Sequence, residues 1–346
     1  MTRTSSIAGA PGAREDPRLP YLRQFGDHCF SYATLQSGMK CFVVPGLGYV
    51  AYQRQTGGVG SLGGLWPRTY VLGDPVADER EKEPALLGFI QRHGHTCFLG
   101  VSAATAATLA RLGYWVNCLG VVFLCELAGY AQSGGGKGGS NLRRNLRRAS
   151  DVGLNVREVP VNEVALEDLE AISESWRGGK AQKRELKFLT RPSTFRHEQD
   201  VRWFFAFQGA RMLGFVCFDP LYRDGSILGY NSNINRALGN APRGTTDLIT
   251  MEAMKVFRQE GKSVLSLGLS PLSPPPPHTE TPKTASRTLD TVLHGMYRWG
   301  NRLYSFQGLY MHKRQYGFSE YPVYMAGRGR PALLDGIGAM EMCGLL

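Results

Sequence analysis

The chain has 346 residues, 42% apolar and 20% charged, a globular composition that excludes a disordered polymer. Lys and Arg number 40 against 29 Asp and Glu, leaving +11, so a polyanionic partner such as nucleic acid or an anionic membrane is favoured. Seven scattered cysteines with no C-x-x-C pair argue against a disulfide framework and a zinc site, and read as reduced thiols of a cytoplasmic protein.

Residues 1–19 read as a mobile tail without the apolar core of a secretory signal. From 20 to 132 the pattern is that of a mixed α/β domain. Met39–Val44 and Gly48–Gln53 are strands about Pro45-Gly46, Pro84–His93 is a helix, and Cys97–Val101 is a strand. Ala103–Leu112 is a helix and Val116–Leu127 a strand pair. The most apolar stretch, 114–130, contains Asn117 and Glu126, whereas a membrane span needs about 20 apolar residues, so no stable membrane insertion is expected. Residues 133–152 form a Gly-rich linker and a basic helix.

A second domain is expected over 153–330, with 331–346 as a tail. Ala165, Leu169, Ile172 and Trp176 lie on one face of a helix. Val201–Phe207 and Met212–Phe218 turn about Gln208-Gly209, and Asp224-Gly225 turns into a third strand. A helix from Thr245 to about Glu260 follows, then the strand SVLSLGLSPL, a Pro-rich loop at 273–283, two helical segments and a strand near Pro322–Ala326. Helix, three-stranded meander, helix, strand is the order of an N-acetyltransferase-like (GNAT) fold, of class α/β (α+β).

Three constellations carry chemistry. Arg236, Gly239 and Ala241 match the R-x-x-G-x-A loop that holds acyl-CoA pyrophosphate, but Gln55, Gly58 and Gly60 match as well where no helix follows, and an ordinary turn is the favoured reading. Arg143 with Arg147, and Arg144 with Arg148, are i, i+4 pairs beside Lys137 with no acid among them, a pattern that serves tRNA phosphates as well as a solvated face. The strand from Tyr230 through Asn231, Asn233 and Asn235 to Arg236 carries amides whose burial unpaired costs about 1–3 kcal/mol each, which suits a ligand cleft. Asp247 serves there as an N-cap or a catalytic acid. No Ser-His-Asp order or metal-ligand spacing stands out.

Trp176 with Glu185 and Phe188, FVCFDPLY at 215–222, the strand ending in Arg236, APRGTTDLI at 241–249, LSLGLSPLS at 265–273 and LYSFQGLYMHKRQYGF at 303–318 together resemble one family. It is the soluble catalytic region of phosphatidylglycerol lysyltransferases and their relatives, which use aminoacyl-tRNA as donor. The basic segment LRRNLRRASDVGLNV is similar to the stretch joining that family's two halves. The resemblance implies two tandem GNAT domains joined by a basic helix, a tunnel between them, and aminoacyl transfer with no cofactor beyond aminoacyl-tRNA as co-substrate.

On that resemblance Asn233, Arg236, Asp247 and Tyr310 are the expected catalytic residues. Glu185, Tyr230, Asn231, Gln307 and Lys313 are expected to bind substrate, and Lys137, Arg143, Arg144, Arg147 and Arg148 to bind tRNA. Asn233 replaces the Asp of the family's Asp-x-x-Arg, and Gln307 and Tyr310 replace a Lys and an Arg around a Gly-Leu pair. Losing two cations argues for a small amine or hydroxylamine acceptor in antibiotic biosynthesis, as in valanimycin-type seryl transferases, over a lipid phosphate. Lipid aminoacylation and CoA-dependent acylation are the alternatives.

Overall fold

The computed structural model describes residues 16–94, 96–130, 137–179, 184–280, 282–300, 303–329 and 331–346, and the side chains of all of these but 137 and 138. Most of the expected tail at 1–19 and of the expected linker lies outside the described residues, as does the side chain of Lys137. Strands β1 (Lys40–Val44), β2 (Gly48–Gln55) and β3 (Arg68–Leu72) form an antiparallel meander, and a short β4 (Val76–Ala77) pairs with β2. Helix α2 (Lys82–His93), which follows α1 (Leu19–Phe25), then leads to β5 (Thr96–Val101), parallel to β3. Helix α3 (Ala103–Arg111), capped by the Ser102 hydroxyl, leads to β6 (Trp115–Glu126).

The second half repeats this plan. After α4 (Lys137–Asp151), β7 (Asn155–Glu158) and α5 (Leu166–Gly178), strands β8 (Arg202–Gln208), β9 (Arg211–Arg223) and β10 (Ser226–Ala237) form a meander. Helix α6 (Thr245–Gln259) then leads to β11 (Val264–Pro271), parallel to β10. Meander, helix, parallel strand occurs twice, so the fold is the mixed α/β, tandem GNAT-like class expected.

Three features differ from the sequence expectation. The segment read as a strand pair after Trp115 is the single strand β6; a register shift at Leu119, beside Gly120, bends it without ending it. The last strand, β12 (Ser319–Gly327), expected to complete the second unit, lies between β5 and β6 and pairs antiparallel with both. The described strands thus share one sheet, in the order β1-β2-β3-β5-β12-β6-β11-β10-β9-β8-β7. Residues expected as a C-terminal tail form helix α9 (Ala332–Met342).

Helix α9 is held by charge as well as by apolar contact. Asp335 is fully buried and pairs with the buried Arg68 at 2.6 Å, while Arg68 also donates to the Thr96 carbonyl. Glu341 accepts from the amides of Val59 and Gly60 and from Gln55, so the Gln55-Gly58-Gly60 match holds a carboxylate of this chain. Asp335→Ala is expected to leave Arg68 buried without its counter-charge and to lower unfolding free energy by about 3–5 kcal/mol in urea titration. Arg68→Met with Asp335→Leu should recover most of that loss.

Candidate active site

Strands β10 and β11 pair over only three residues, Gly229–Asn231 against Val264–Ser266. Register shifts follow at once, between Ser232 and Ile234 on β10 and between Ser266 and Gly268 on β11. Beyond them β10 stays with β9 and β11 stays with β6, so the two strands part and leave a cleft inside the sheet. Gly268, at φ +70°, marks the parting. A Cβ built there would stand 3.4 Å from Asn231 Oδ1, 3.6 Å from the Ser232 carbonyl and 3.8 Å from Lys313 Nζ, so these atoms surround one small space.

Helices α7 (Arg287–Trp299) and α8 (Phe306–Arg314) close this end. Lys313 of α8 donates to the Leu269 carbonyl at 2.8 Å, and burial lowers its pKa to about 7. Cys29, its electrostatic neighbour from the first half, is pushed up to about 12 by burial and stays a thiol. Asn231 Oδ1 on one wall and Ser270 Oγ on the other are buried without a hydrogen-bond partner. Buried polar atoms nearly always find one, and unpaired atoms in a cleft point to a ligand.

Further along β10, the buried Arg236 forms an ion pair with Glu185, which also meets Arg177 at 3.2 Å. The Arg236 guanidinium lies 5.4 Å over the Trp176 ring, and its Nε has no partner. Burial pulls Arg236 below its ordinary pKa while Glu185 opposes that shift. Asn233 donates to the Arg191 carbonyl at 2.9 Å, next to the buried Arg191–Asp219 pair.

Asp247 forms a separate cluster in the first turn of α6. It accepts from Tyr316 at 2.7 Å, from Gln315 at 3.1 Å and from Asn145 of α4 at 3.2 Å, with His312 at 3.7 Å. Burial and then the Asp247 charge push the Tyr316 phenol up, so it remains a donor. Tyr310 donates to Glu320 at 3.1 Å, and Gln307 donates to the Tyr297 and Arg298 carbonyls at the end of α7. Tyr230 is in the core, its ring stacked on Phe257 at 4.3 Å.

The structure therefore brings Asn231 and Lys313 together, and Arg236 with Glu185. Asp247, Tyr310, Gln307 and Tyr230 each engage other groups. Gly268, Ser270 and Cys29 were not singled out from sequence. The LSLGLS stretch was a visible signal for the first two, but a Ser on a strand is orphaned only once its neighbour strand departs.

Three amides of the loop before α6 already have partners. The Gly239 amide donates to Ser175 Oγ, that of Ala241 to the Leu238 carbonyl and that of Thr245 to the Pro242 carbonyl. A Cβ on Gly244 would lie 2.3 Å from the Asn145 carbonyl, so α4 covers the helix start at the distance only glycine permits. Helix α4 packs there through Leu142, Leu146 and Ala149 and leaves Arg143, Arg144, Arg147 and Arg148 exposed.

Comparison with known proteins places the chain in a family. The chain is 25% identical over 279 residues to the phosphatidylglycerol lysyltransferase of Bacillus subtilis (strain 168), covering 79% of this chain and 31% of that relative. The chain thus spans about a third of that protein's length. Among solved structures, L-PGS from Bacillus licheniformis superposes with a TM-score of 0.74 at 20% identity, over 97% of this chain and 99% of that one. A C-terminal domain from Agrobacterium fabrum superposes with a TM-score of 0.71 at 18% identity, over 95% and 97%. Both likenesses establish the fold. The model of the family "Phosphatidylglycerol lysyltransferase, C-terminal" matches residues 20–327, and the chain belongs to that family.

Proposed function

We propose that the chain transfers an aminoacyl group from aminoacyl-tRNA to a hydroxyl of a glycerophospholipid, phosphatidylglycerol being the acceptor that its family suggests. The observation that carries this reading is the meeting of the Lys313 amine and the unpartnered Asn231 at the parting of β10 and β11. The donor is an ester and already activated, so the site has to align a nucleophile, move one proton and stabilise an oxyanion. Neutral Lys313 takes the acceptor's hydroxyl proton as its oxygen attacks the ester carbonyl. The C–O bond to the tRNA ribose then breaks, and the ribose oxygen takes that proton back from Lys313. Ser270 Oγ is a buried donor without a partner for the developing oxyanion, and Asn231 Oδ1 accepts from the substrate's ammonium or hydroxyl.

The expectation of a small amine acceptor drew in part on Gln307 and Tyr310. Both hold neighbouring helix and strand ends by internal hydrogen bonds, so their exchange for cations bears on packing more than on the acceptor. An apolar cavity of about 90 Å³ lies beside Pro271 and Leu272, just past Ser270. It is lined by Leu119, Met296, Phe306, Met325 and Met340 among others, and suits hydrocarbon. The family relationship supports the lipid as well. Acyl-CoA transfer is disfavoured because α4 lies against the start of α6 and three of the loop amides already have partners.

The direct test offers labelled aminoacyl-tRNAs with phosphatidylglycerol vesicles, with small amines and hydroxylamines, and with and without ribonuclease. Ribonuclease-sensitive label in the lipid phase is expected; label confined to a water-soluble amine would overturn the acceptor, and transfer from acetyl-CoA the donor. Lys313→Ala should lower kcat by about 10²–10⁴-fold. In wild type, kcat should fall as pH drops through about 7, where Lys313 takes a proton. The same shift fixes the stability effect. A pKa lowered from 10.5 to about 7 means that the burden of burying the ammonium is complete below 7 and vanishes above 10.5. Lys313→Met should therefore raise the thermal midpoint, and by more at pH 6 than at pH 10. Replacing Arg143, Arg144, Arg147 and Arg148 together by Ala should reduce the slope of log affinity for tRNA against log salt by about 3.

A further inference from the structure

A second basic surface lies in the first half of the molecule, away from α4. Between β1–β3 and the C-terminal turn of α2 is a cleft of about 430 Å³, lined by Lys40, Tyr52, Arg54, Trp66, Arg92 and His93 together with Pro67, Arg68 and Thr69. This volume is within the range of small-ligand pockets, about 300–1,000 Å³. The strand register explains the grouping. Lys40 stands opposite Tyr52 on the neighbouring strand, and Arg54 is two residues further along the same face. The last turn of α2 brings Arg92 and His93 over them.

No carboxylate lines the cleft. Arg68 is spoken for by Asp335, whereas Lys40, Arg54 and Arg92 are exposed and make no ion pair among the described residues. The His93 ring packs on Tyr52 at 4.7 Å and on Phe89 at 4.3 Å. Burial first, then the charges of Arg92 and Arg54, lower its pKa, so His93 is a neutral aromatic surface among cations at physiological pH. Trp66 is 41% exposed, in a loop that also presents Leu65 to solvent. A solvated basic face needs no aromatic rings; cations interleaved with aromatic rings are what unpaired nucleotides require, for phosphate and base respectively.

The cleft and α4 share one side of the sheet. On β6, Val116 and Cys118 pack with the core under α2 and α3, and Val121, Phe123 and Cys125 with the core under α4 and α6. The extra residue at Leu119 keeps these two series on the same face. From β2 to β6 are four inter-strand steps of about 4.8 Å each, roughly 20 Å. One polyanion can lie across both surfaces.

We propose that this cleft is a second RNA-binding site, which stacks an unpaired nucleotide of the tRNA on Trp66 and Tyr52 and holds its flanking phosphates with Lys40, Arg54 and Arg92. The proposal rests on tRNA being the donor, and it adds a contact that steers the RNA from outside the reaction cleft.

Binding of uncharged tRNA, measured by fluorescence anisotropy at several salt concentrations, tests it without reference to transfer. The variants are Trp66→Ala, the triple variant K40A/R54A/R92A and the α4 quadruple variant, each checked for an unchanged far-ultraviolet circular dichroism spectrum. Trp66→Ala should weaken binding about tenfold with the salt slope unchanged. The triple variant should lower the slope by about 2. Unaltered tRNA affinity in both cleft variants, with loss in the α4 variant, overturns the cleft and leaves the donor reading standing. Absence of tRNA binding by the wild-type chain overturns both. If the triple variant loses only affinity for phosphatidylglycerol vesicles, the cleft is a lipid surface and the RNA proposal fails.

Discussion

The carboxylate of Asp247 is the joint on which the site depends. It sits in the first turn of α6, where the free amides and the helix dipole favour negative charge. It is 3% exposed and receives hydrogen bonds from α4 and from the residues directly after α8. Bonds to a buried charge are about twice as strong as neutral ones, and an unpaired partner would carry the full desolvation penalty. The basic helix, the helix that starts beside the expected CoA loop and the helix carrying Lys313 are thereby fixed to one point. The residue read from sequence as an N-cap or a catalytic acid sets the distance between α4 and the cleft where β10 and β11 part.

Local pattern made much of the second half legible. The meander β8–β10, helix α5 and helix α6 follow from apolar periodicity and from the Gly-containing turns at Gly209 and Gly225. What escaped were features set by distant partners. Strand β12 reads as a strand, but nothing in SEYPVYMAG says that it pairs with residues 97–101 and 115–124, some two hundred positions earlier. Helix α9 reads as a tail because Gly336 and Gly338 interrupt its apolar run. Gly338 is required by contact: a Cβ there would meet the Tyr70 hydroxyl at 2.0 Å.

The site shows the same division. Asn231 was visible as an amide on an amide-rich strand and Lys313 only through the family resemblance, and the structure brings them together. Gln307 and Tyr310 drew attention because they depart from the family pattern, yet their side chains fasten helix and strand ends. Substitution at a motif position identifies a changed contact, and only geometry says whether that contact faces substrate. The vacant acceptor of Asn231 and the hydroxyl of Ser270 arise from two register shifts on separate strands, and those have no signature in either segment alone.

The placement of β12 has a consequence for biosynthesis. During translation β5 and β6 emerge together with α3, but the strand that separates them, Ser319–Gly327, is made about two hundred residues later. Until then one edge each of β5 and β6 lacks its final partner, the kind of surface that recruits other chains. The nascent first half must either hold that slot open or pair β5 with β6 and later part them, so the sheet cannot be completed until β12 has been made.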